Sequence, residues 1–134
     1  DRSFLNRING ELCIYNTIEI IKRYNPKVYV IENPASSKIW YYIDDILGFK
    51  IPFDNLAHYH CYNYPLRKPT RFKSNINLGL RHNHKLKPEI KFENFSKSYN
   101  ERSNIPLELI VDIYKAVNQY LTNPIGVPIE RLLF

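Results

Sequence analysis

The tetrapeptide Ile31-Glu32-Asn33-Pro34 is the first candidate for chemistry in this sequence. It closes the apolar run that begins at Val28, and such a run is typical of a strand buried on both faces. Ligands of open α/β sheets bind beyond the carboxyl ends of the strands, where a partly desolvated carboxylate can transfer protons. Glu32 is therefore a candidate catalytic residue, with Asn33 and Pro34 beside it. The alternative is a simple turn or helix cap.

A second candidate is the concentration of positive charge that begins shortly after this motif. Its cations are Arg67, Lys68, Arg71, Lys73, Arg81, Lys85, Lys87 and Lys91. Glu89 is the one acid between residues 67 and 91, and aromatic side chains such as Tyr64 and Phe72 interleave the cations. Phosphates require local positive charge, and an unpaired or flipped base requires stacking surfaces. The pattern favours nucleic-acid binding over the alternative, a solvated loop.

Composition agrees with a polyanionic partner. Lys and Arg number 19 against 13 Asp and Glu, which gives a formal charge of +6. No stretch approaches the roughly 20 apolar residues of a membrane helix, so we expect no membrane association. Only Cys13 and Cys61 are present, too few for a disulfide scaffold, so an intracellular location is expected, in the cytoplasm, a host cell or a virion.

Histidines and cysteines offer weaker candidates. His58 and His60 share one face of an expected strand, and His82 and His84 lie in the basic stretch. Two His so spaced can share a metal, but no Cys or acid cluster completes a ligand set near either pair. We therefore expect no metal. Neither Cys has the sequence surroundings of an activated thiolate.

The elements that would position Glu32 alternate between helix and strand. Apolar residues at helical spacing predict a helix over 11–24, ended by Asn25-Pro26. The strand 28–31 follows, and Ser36 or Ser37 could cap a second helix from about 38 to 47. Helix followed by buried strand is half of a βαβ unit, so the sequence predicts an α/β fold.

The rest of the chain completes a single domain over 1–134. The predicted elements are strands at 57–63 and 70–77 joined by a hairpin through 65–69, a long basic loop or insertion at 79–103, and a helix over 106–121. An apolar tail at 124–134 is expected to pack back onto the sheet.

In order, these pieces resemble the DNA cytosine-5 methyltransferases of phages and microbes. The segment from Asn16 to Pro34 resembles the family's helix and buried strand leading into a Glu-Asn-Pro or Glu-Asn-Val motif. Residues 59–65 and 67–71 resemble its strand, hairpin and Arg-rich motif, and residues 104–110 resemble a helix start near the end of many members. The resemblance covers roughly residues 11–121 and rests on the shared order of these motifs.

The resemblance implies roles for particular residues. Glu32 matches the Glu that hydrogen-bonds the N3/N4 edge of a flipped cytosine, and Arg71 matches the last Arg of the motif that holds the base and a nearby phosphate. An earlier Arg of that motif aligns with Pro69, and phosphate contacts from Arg67 and Lys68 could compensate. The implied fold is a partial Rossmann-like, methyltransferase-type mixed sheet with flanking helices.

The departures from the family are large. The Gly-rich loop for S-adenosylmethionine and the Pro-Cys nucleophile are absent, and Cys13 lies too close to Glu32 to replace the latter. We therefore expect the cofactor only with an N-terminal methyltransferase segment or subunit, and none bound by this chain alone. The chain contains no Met, so Asp1 is expected to follow a cleavage, a removed segment or an arbitrary boundary. The alternative function is a non-catalytic DNA-binding, virion or regulatory protein derived from such a domain.

Overall fold

A computed structural model describes residues 1–96 and 98–123 of the chain. In chain order, the elements are α1 (Arg2–Tyr24), β1 (Val30–Pro34), α2 (Ile39–Tyr41) continued by a π-helical turn (Tyr42–Ile46), β2 (Phe53–Ala57), a 3-10 helix (Tyr59–Tyr62), β3 (Thr70–Ser74), a second 3-10 helix (Phe92–Asn94), α3 (Tyr99–Ser103) and α4 (Leu107–Thr122). The expected tail at 124–134 lies outside the described residues.

The first and last helices, α1 and α4, follow the apolar periodicity of the sequence. α1 begins nine residues before the expected position 11, because the Asp1 carboxylate caps it by accepting from the Ser3 amide at 3.1 Å. It ends where Asn25 takes a left-handed conformation with φ 42°. The predicted helices over 11–24 and 106–121 are confirmed.

The sheet has the strand order β1-β3-β2, and both neighbouring pairs are antiparallel. A combination of helices and a sheet is therefore confirmed. The described residues contain no parallel pair of strands, so the expected mixed sheet is not observed in them. In the central strand, Phe72 pairs with Glu32 on one side and with Asn55 on the other.

Two hydrophobic clusters lie on opposite faces of this sheet, because successive side chains of a strand alternate between faces. One cluster contains Phe72 with Tyr59, Tyr62 and the α4 residue Leu109. The other contains Ile31 with three residues from the helical segments: Ile18, Trp40 and Ile43. The sheet thus separates an α4 side from an α1 side.

Asn55 is a buried polar residue that ties the sheet to the chain after β3. Its amide nitrogen donates to the carbonyl oxygens of Phe72 and Ile76 at 2.9 and 3.3 Å. Its side-chain oxygen accepts from the Leu78 amide at 2.9 Å. These bonds replace sheet hydrogen bonds where β3 ends, three residues before the predicted limit at 77.

The predicted strand over 57–63 is wrong. β2 ends at Ala57, and Tyr59–Tyr62 forms a 3-10 helix whose turn is closed by the Cys61 amide donating to the His58 carbonyl at 3.0 Å. Aromatic residues favour strands, but burial of both Tyr59 and Tyr62 requires i and i+3 on one face, which only a helical turn provides. The connection from β2 to β3 is consequently longer than the predicted hairpin at 65–69.

The region predicted as a basic loop at 79–103 carries little regular structure, as expected, but contains the second 3-10 helix and α3. The predicted helix over 38–47 is present as α2 and the π-helical turn, where the Leu47 amide donates to the Tyr42 carbonyl at 2.9 Å. In the described ranges, no helix is long and apolar enough to cross a membrane.

Candidate functional site

A cleft of about 700 Å³ opens beside the end of β1, a volume within the range of roughly 300–1,000 Å³ typical of small-ligand sites. The residues that line it are Glu32, Asn33, Pro34, Ser36, Leu66, Arg67, Lys68, Pro69, Pro88, Ile90, Lys91, Phe92, Tyr99, Arg102 and Ser103. The structure thus brings the Glu-Asn-Pro motif together with the Arg67-Lys68 pair of the basic stretch.

Glu32 reaches the cleft from an edge strand. It is exposed, and its strand neighbour Ile31 is buried on the other face. The end of β1 is fixed by the Pro34 carbonyl, which accepts from the Trp40 indole nitrogen at 3.0 Å, and by the Ala35 amide, which donates to Pro69 at 3.0 Å. The carboxylate is therefore presented to solvent from a rigid backbone.

Lys68 forms the floor of the cleft in a strained conformation. Its φ of 37° lies in the left-handed region, which a residue with a side chain rarely adopts. Its ammonium donates to the Arg102 carbonyl and lies 5.2 Å from the centre of the Tyr59 ring. Burial lowers the pKa of Lys68, and the Glu32 carboxylate opposes that shift. Strain of this kind persists where the surroundings enforce it, often at functional sites.

The Tyr59 ring beneath Lys68 remains neutral. Burial raises the pKa of its hydroxyl to about 12, and the nearby charge of Glu32 acts in the same direction. A neutral ring keeps the electron-rich face that attracts an ammonium group. The Lys68 ammonium is consequently held in place by an aromatic face together with the Arg102 carbonyl.

Arg67 is partly satisfied by the protein. Its terminal nitrogen donates to the Leu86 carbonyl at 2.8 Å, and His60 Nε2 lies 2.8 Å from the same oxygen. The Arg67 Nε is buried and finds no hydrogen-bond partner in the described chain. A guanidinium with an unused donor can bind an additional acceptor.

The outer wall of the cleft comes from the segment predicted as a loop. The Ile90 amide donates to the Pro65 carbonyl at 3.1 Å, which fastens this segment to the connection before β3. The Arg102 guanidinium lies 4.9 Å from the centre of the Phe92 ring. The basic stretch already included Lys91, whereas Arg102 was not indicated by the sequence, since the segment has no periodicity that would show which side chains share a face.

The other predicted DNA-contacting residues lie away from the cleft lining. Arg71 forms an ion pair with Asp54 and donates to the Ala35 carbonyl at 3.3 Å. Lys73 lies 5.2 Å from the Trp40 ring on the α1 side. Alternation along β3 places both side chains on the face opposite Phe72.

The Arg81 side chain is held by ion pairs and a ring contact, whereas the Lys85 side chain extends from the exposed surface. The Arg81 Nε donates to the Asp112 carboxylate at 3.2 Å, and its guanidinium lies 4.6 Å from the centre of the Tyr62 ring. Arg81 therefore fastens the chain after β3 to α4. Lys85 is exposed on the surface, where it can contact a phosphate without rearrangement.

Three histidines form a cluster behind Arg67. The ring of His58 lies 5.6 Å from that of His60 and 6.0 Å from that of His82. His58 Nδ1 accepts from the Asn83 amide at 3.0 Å, so these rings hold the 82–86 segment against the 3-10 helix. Among the described residues, no group of three or more His, Cys, Asp or Glu could hold a metal ion.

The three glycines within residues 1–96 and 98–123 are not arranged to hold an adenosyl cofactor. Gly10 lies inside α1, while Gly48 and Gly79 occupy turns with φ values of 65° and 61°. None of these three directly follows a strand to present a cradle of backbone amides. Neither Cys13 on α1 nor Cys61 in the 3-10 helix lines the cleft.

The cleft therefore combines one exposed carboxylate with several cations and apolar surfaces. No protein-family model matches the chain, and no curated protein or solved structure is significantly similar to it.

Proposed function

We propose that the chain is the C-terminal portion, or a subunit, of a DNA (cytosine-5) methyltransferase, and that its cleft receives the target cytosine. The observation that carries this proposal is that Glu32 and the Arg67-Lys68 pair line the same cleft. They belong to separate motifs of the methyltransferase resemblance and are far apart in the sequence.

In this proposal Glu32 accepts hydrogen bonds from the edge of the flipped base. Extruding a base from a duplex costs a few kcal/mol, which contacts inside the pocket must offset. The apolar side chains of Leu66, Ile90 and Phe92 line the cleft and offer surfaces for the faces of the base. The exposed position of Glu32 leaves its carboxylate free to reach the base edge.

The cations of the cleft bind the flanking phosphates. Arg67, Lys68, Lys91 and Arg102 all line the cleft. In this proposal their positive charge attracts the phosphates on either side of the extruded nucleotide. The predicted contacts at Arg71, Lys73, Arg81 and Lys85 would then be peripheral.

The fold proposed for the complete enzyme is Rossmann-like, with this chain as its later part. The three antiparallel strands would form one edge of a larger mixed sheet. An N-terminal methyltransferase segment or subunit would bring S-adenosylmethionine, the source of the methyl group, and the nucleophilic Cys. Without a thiolate adding to C6, the C5 carbon of cytosine is too weakly nucleophilic to be methylated.

Reconstitution tests this function. Mixing the chain with an N-terminal methyltransferase segment encoded upstream should restore transfer of a tritiated methyl group to DNA, and Glu32→Gln should reduce that activity by about 100-fold or more. DNA affinity should change little, because Gln keeps the size and removes only the charge. Glu19→Gln on the exposed face of α1 is the matched control and should retain activity. Methyl transfer by the chain alone would contradict the proposal.

A non-catalytic DNA-binding role is the second candidate, and the excess of cations over acids in the cleft favours it. In that case Glu32 has no chemical task. Reconstitution would yield no methyl transfer, and Lys68→Ala would still weaken DNA binding. Methyl transfer on reconstitution, present in the first case and absent in the second, therefore distinguishes the two functions.

A further inference from the structure

α4 carries two apolar faces, and among the described residues only one of them packs into the core. Leu109 is fully buried in the core, with Ile113, Ala116 and Tyr120 packed against the same cluster. The other face consists of large side chains left in solvent: Leu107 (75% exposed), Ile110 (46%), Val111 (40%), Tyr114 (72%) and Leu121 (48%). We call this second face the α4 stripe.

The α4 stripe has the spacing of a coiled-coil seam. Positions 107, 111, 114, 118 and 121 alternate in steps of four and three, which is the a/d pattern of a heptad repeat. Four of these positions are apolar and the remaining one is Asn118. A single polar Asn in such a seam fixes register and oligomer state at a cost in stability. The stripe therefore has the features of a helix-pairing surface.

We propose that the α4 stripe pairs with the same stripe of a second copy of this chain, with the two helices antiparallel. Charge complementarity identifies the occupant and the orientation. Glu108 and Lys115 occupy the two equivalent flanking positions on one side of the seam. Antiparallel helices bring equivalent flanking positions together, so each Glu108 faces the partner's Lys115.

The opposite orientation lacks these contacts. In a parallel pair, each flanking position meets the non-equivalent one of the partner, where this chain has Ile110 and Val117. The antiparallel pair is also symmetric, so the two Glu108-Lys115 contacts form together. Glu108 is accessible for this role, since its side chain is 51% exposed although Arg81 lies 3.6 Å away.

The interface is short. α4 has 16 residues, and at about 1.5 Å per residue it offers a seam of roughly 24 Å. Such a seam buries less than the roughly 800 Å² per partner of a standard interface. We therefore expect a weak dimer whose population rises with protein concentration.

Sedimentation equilibrium of the full chain over about two decades of concentration tests the pairing. The wild type should shift from monomer to dimer, and Tyr114→Lys should raise the dissociation constant at least about tenfold by placing a charge in the seam. Tyr24→Lys is the matched control, because Tyr24 is an equally exposed Tyr (69%) on α1, and it should dimerise like the wild type.

Charge reversal tests the orientation. Glu108→Lys and Lys115→Glu should each weaken the dimer, and the double variant should restore it, because only the double variant recreates the opposite-charge contacts. A wild type that stays monomeric at every concentration would overturn the proposal and indicate another occupant, such as residues 124–134. A dimer in which the double variant is weaker than both single variants would overturn the antiparallel arrangement.

Discussion

Glu32 of β1 lies directly opposite Phe72 of β3, and this pairing places Glu32 and Arg71 on opposite faces of the sheet. Successive residues of a strand point to opposite sides, and Arg71 is further held by its ion pair with Asp54. Lys68 therefore shares a cleft with Glu32 and Arg71 does not, although the methyltransferase resemblance assigns the base-holding role to Arg71.

This geometry predicts different effects for the two cations on DNA binding. Lys68→Ala should weaken binding to a fluorescent duplex and reduce the slope of log Kobs against log salt by about 0.9, because one phosphate contact is lost. Arg71→Ala should leave the slope near the wild-type value. Fluorescence anisotropy at several salt concentrations measures both. Equal loss for the two variants would contradict the placement of the DNA beside the cleft.

Phe72→Ala should be strongly destabilising. Phe72 is 2% exposed at the centre of the sheet, and truncation of a buried Phe costs about 3–5 kcal/mol through lost burial and a residual cavity. Urea denaturation followed by circular dichroism measures the free energy of unfolding. Phe92→Ala is the control, since Phe92 is 54% exposed. It should lower the free energy of unfolding by less than Phe72→Ala does.

Removing the Asn55 side chain should cost about 1–3 kcal/mol. Asn55→Ala leaves the Leu78 amide and the Ile76 carbonyl without their side-chain partner. Hydrogen exchange should show faster exchange at Leu78 than in the wild type. Asn77→Ala, at an exposed position nearby, should leave the Leu78 amide protected.

Stability should fall in mildly acidic solution because of His58. Burial is the main cause that lowers the pKa of His58 in the folded chain, and the charges of His60, Arg67 and His82 add to it. The unfolded chain therefore binds a proton first, so stability is lost as the pH falls from about 6.5 toward the lower folded pKa. Below that value the loss is complete.

Denaturant midpoints at about pH 7.5 and about pH 5 for the wild type and His58→Gln measure this effect. From the higher to the lower pH, the wild type should lose more stability than the variant, in which residue 58 does not titrate. Protonation also removes the acceptor for the Asn83 amide, so this amide should exchange faster at low pH. An unchanged pH dependence in His58→Gln would contradict the assignment.

The spacing of apolar residues was sufficient to predict an element where burial of one of its faces determines whether it is a helix or a strand. The apolar spacing of α1 and α4 and the apolar run before Glu32 identified those elements, although α1 begins nine residues before its predicted start. The error at 57–63 arose because aromatic residues favour strands, whereas tertiary packing of Tyr59 and Tyr62 selected a helical turn.

The cleft could be predicted only in part, because its two halves meet through long-range contacts. The apolar run indicated Glu32, although Glu32 lies inside β1 and not beyond its carboxyl end, and charge indicated Arg67 and Lys68. Arg71 lies on the sheet face opposite Glu32 because β1 pairs with β3 in the register that aligns Glu32 with Phe72. The sequence does not specify this register. Arg102 enters the cleft through its carbonyl contact with Lys68, for which there is no local signal.

Pro34 has a further consequence for how β1 behaves at the edge of the sheet. A Pro has no amide hydrogen, and a charged residue on an edge strand opposes pairing with another chain. With Pro34 ending the strand and Glu32 within it, β1 is protected against edge-to-edge strand addition and aggregation. The substitution Glu32→Val would make residues 30–32 a run of three β-branched apolar residues. It would therefore weaken that protection.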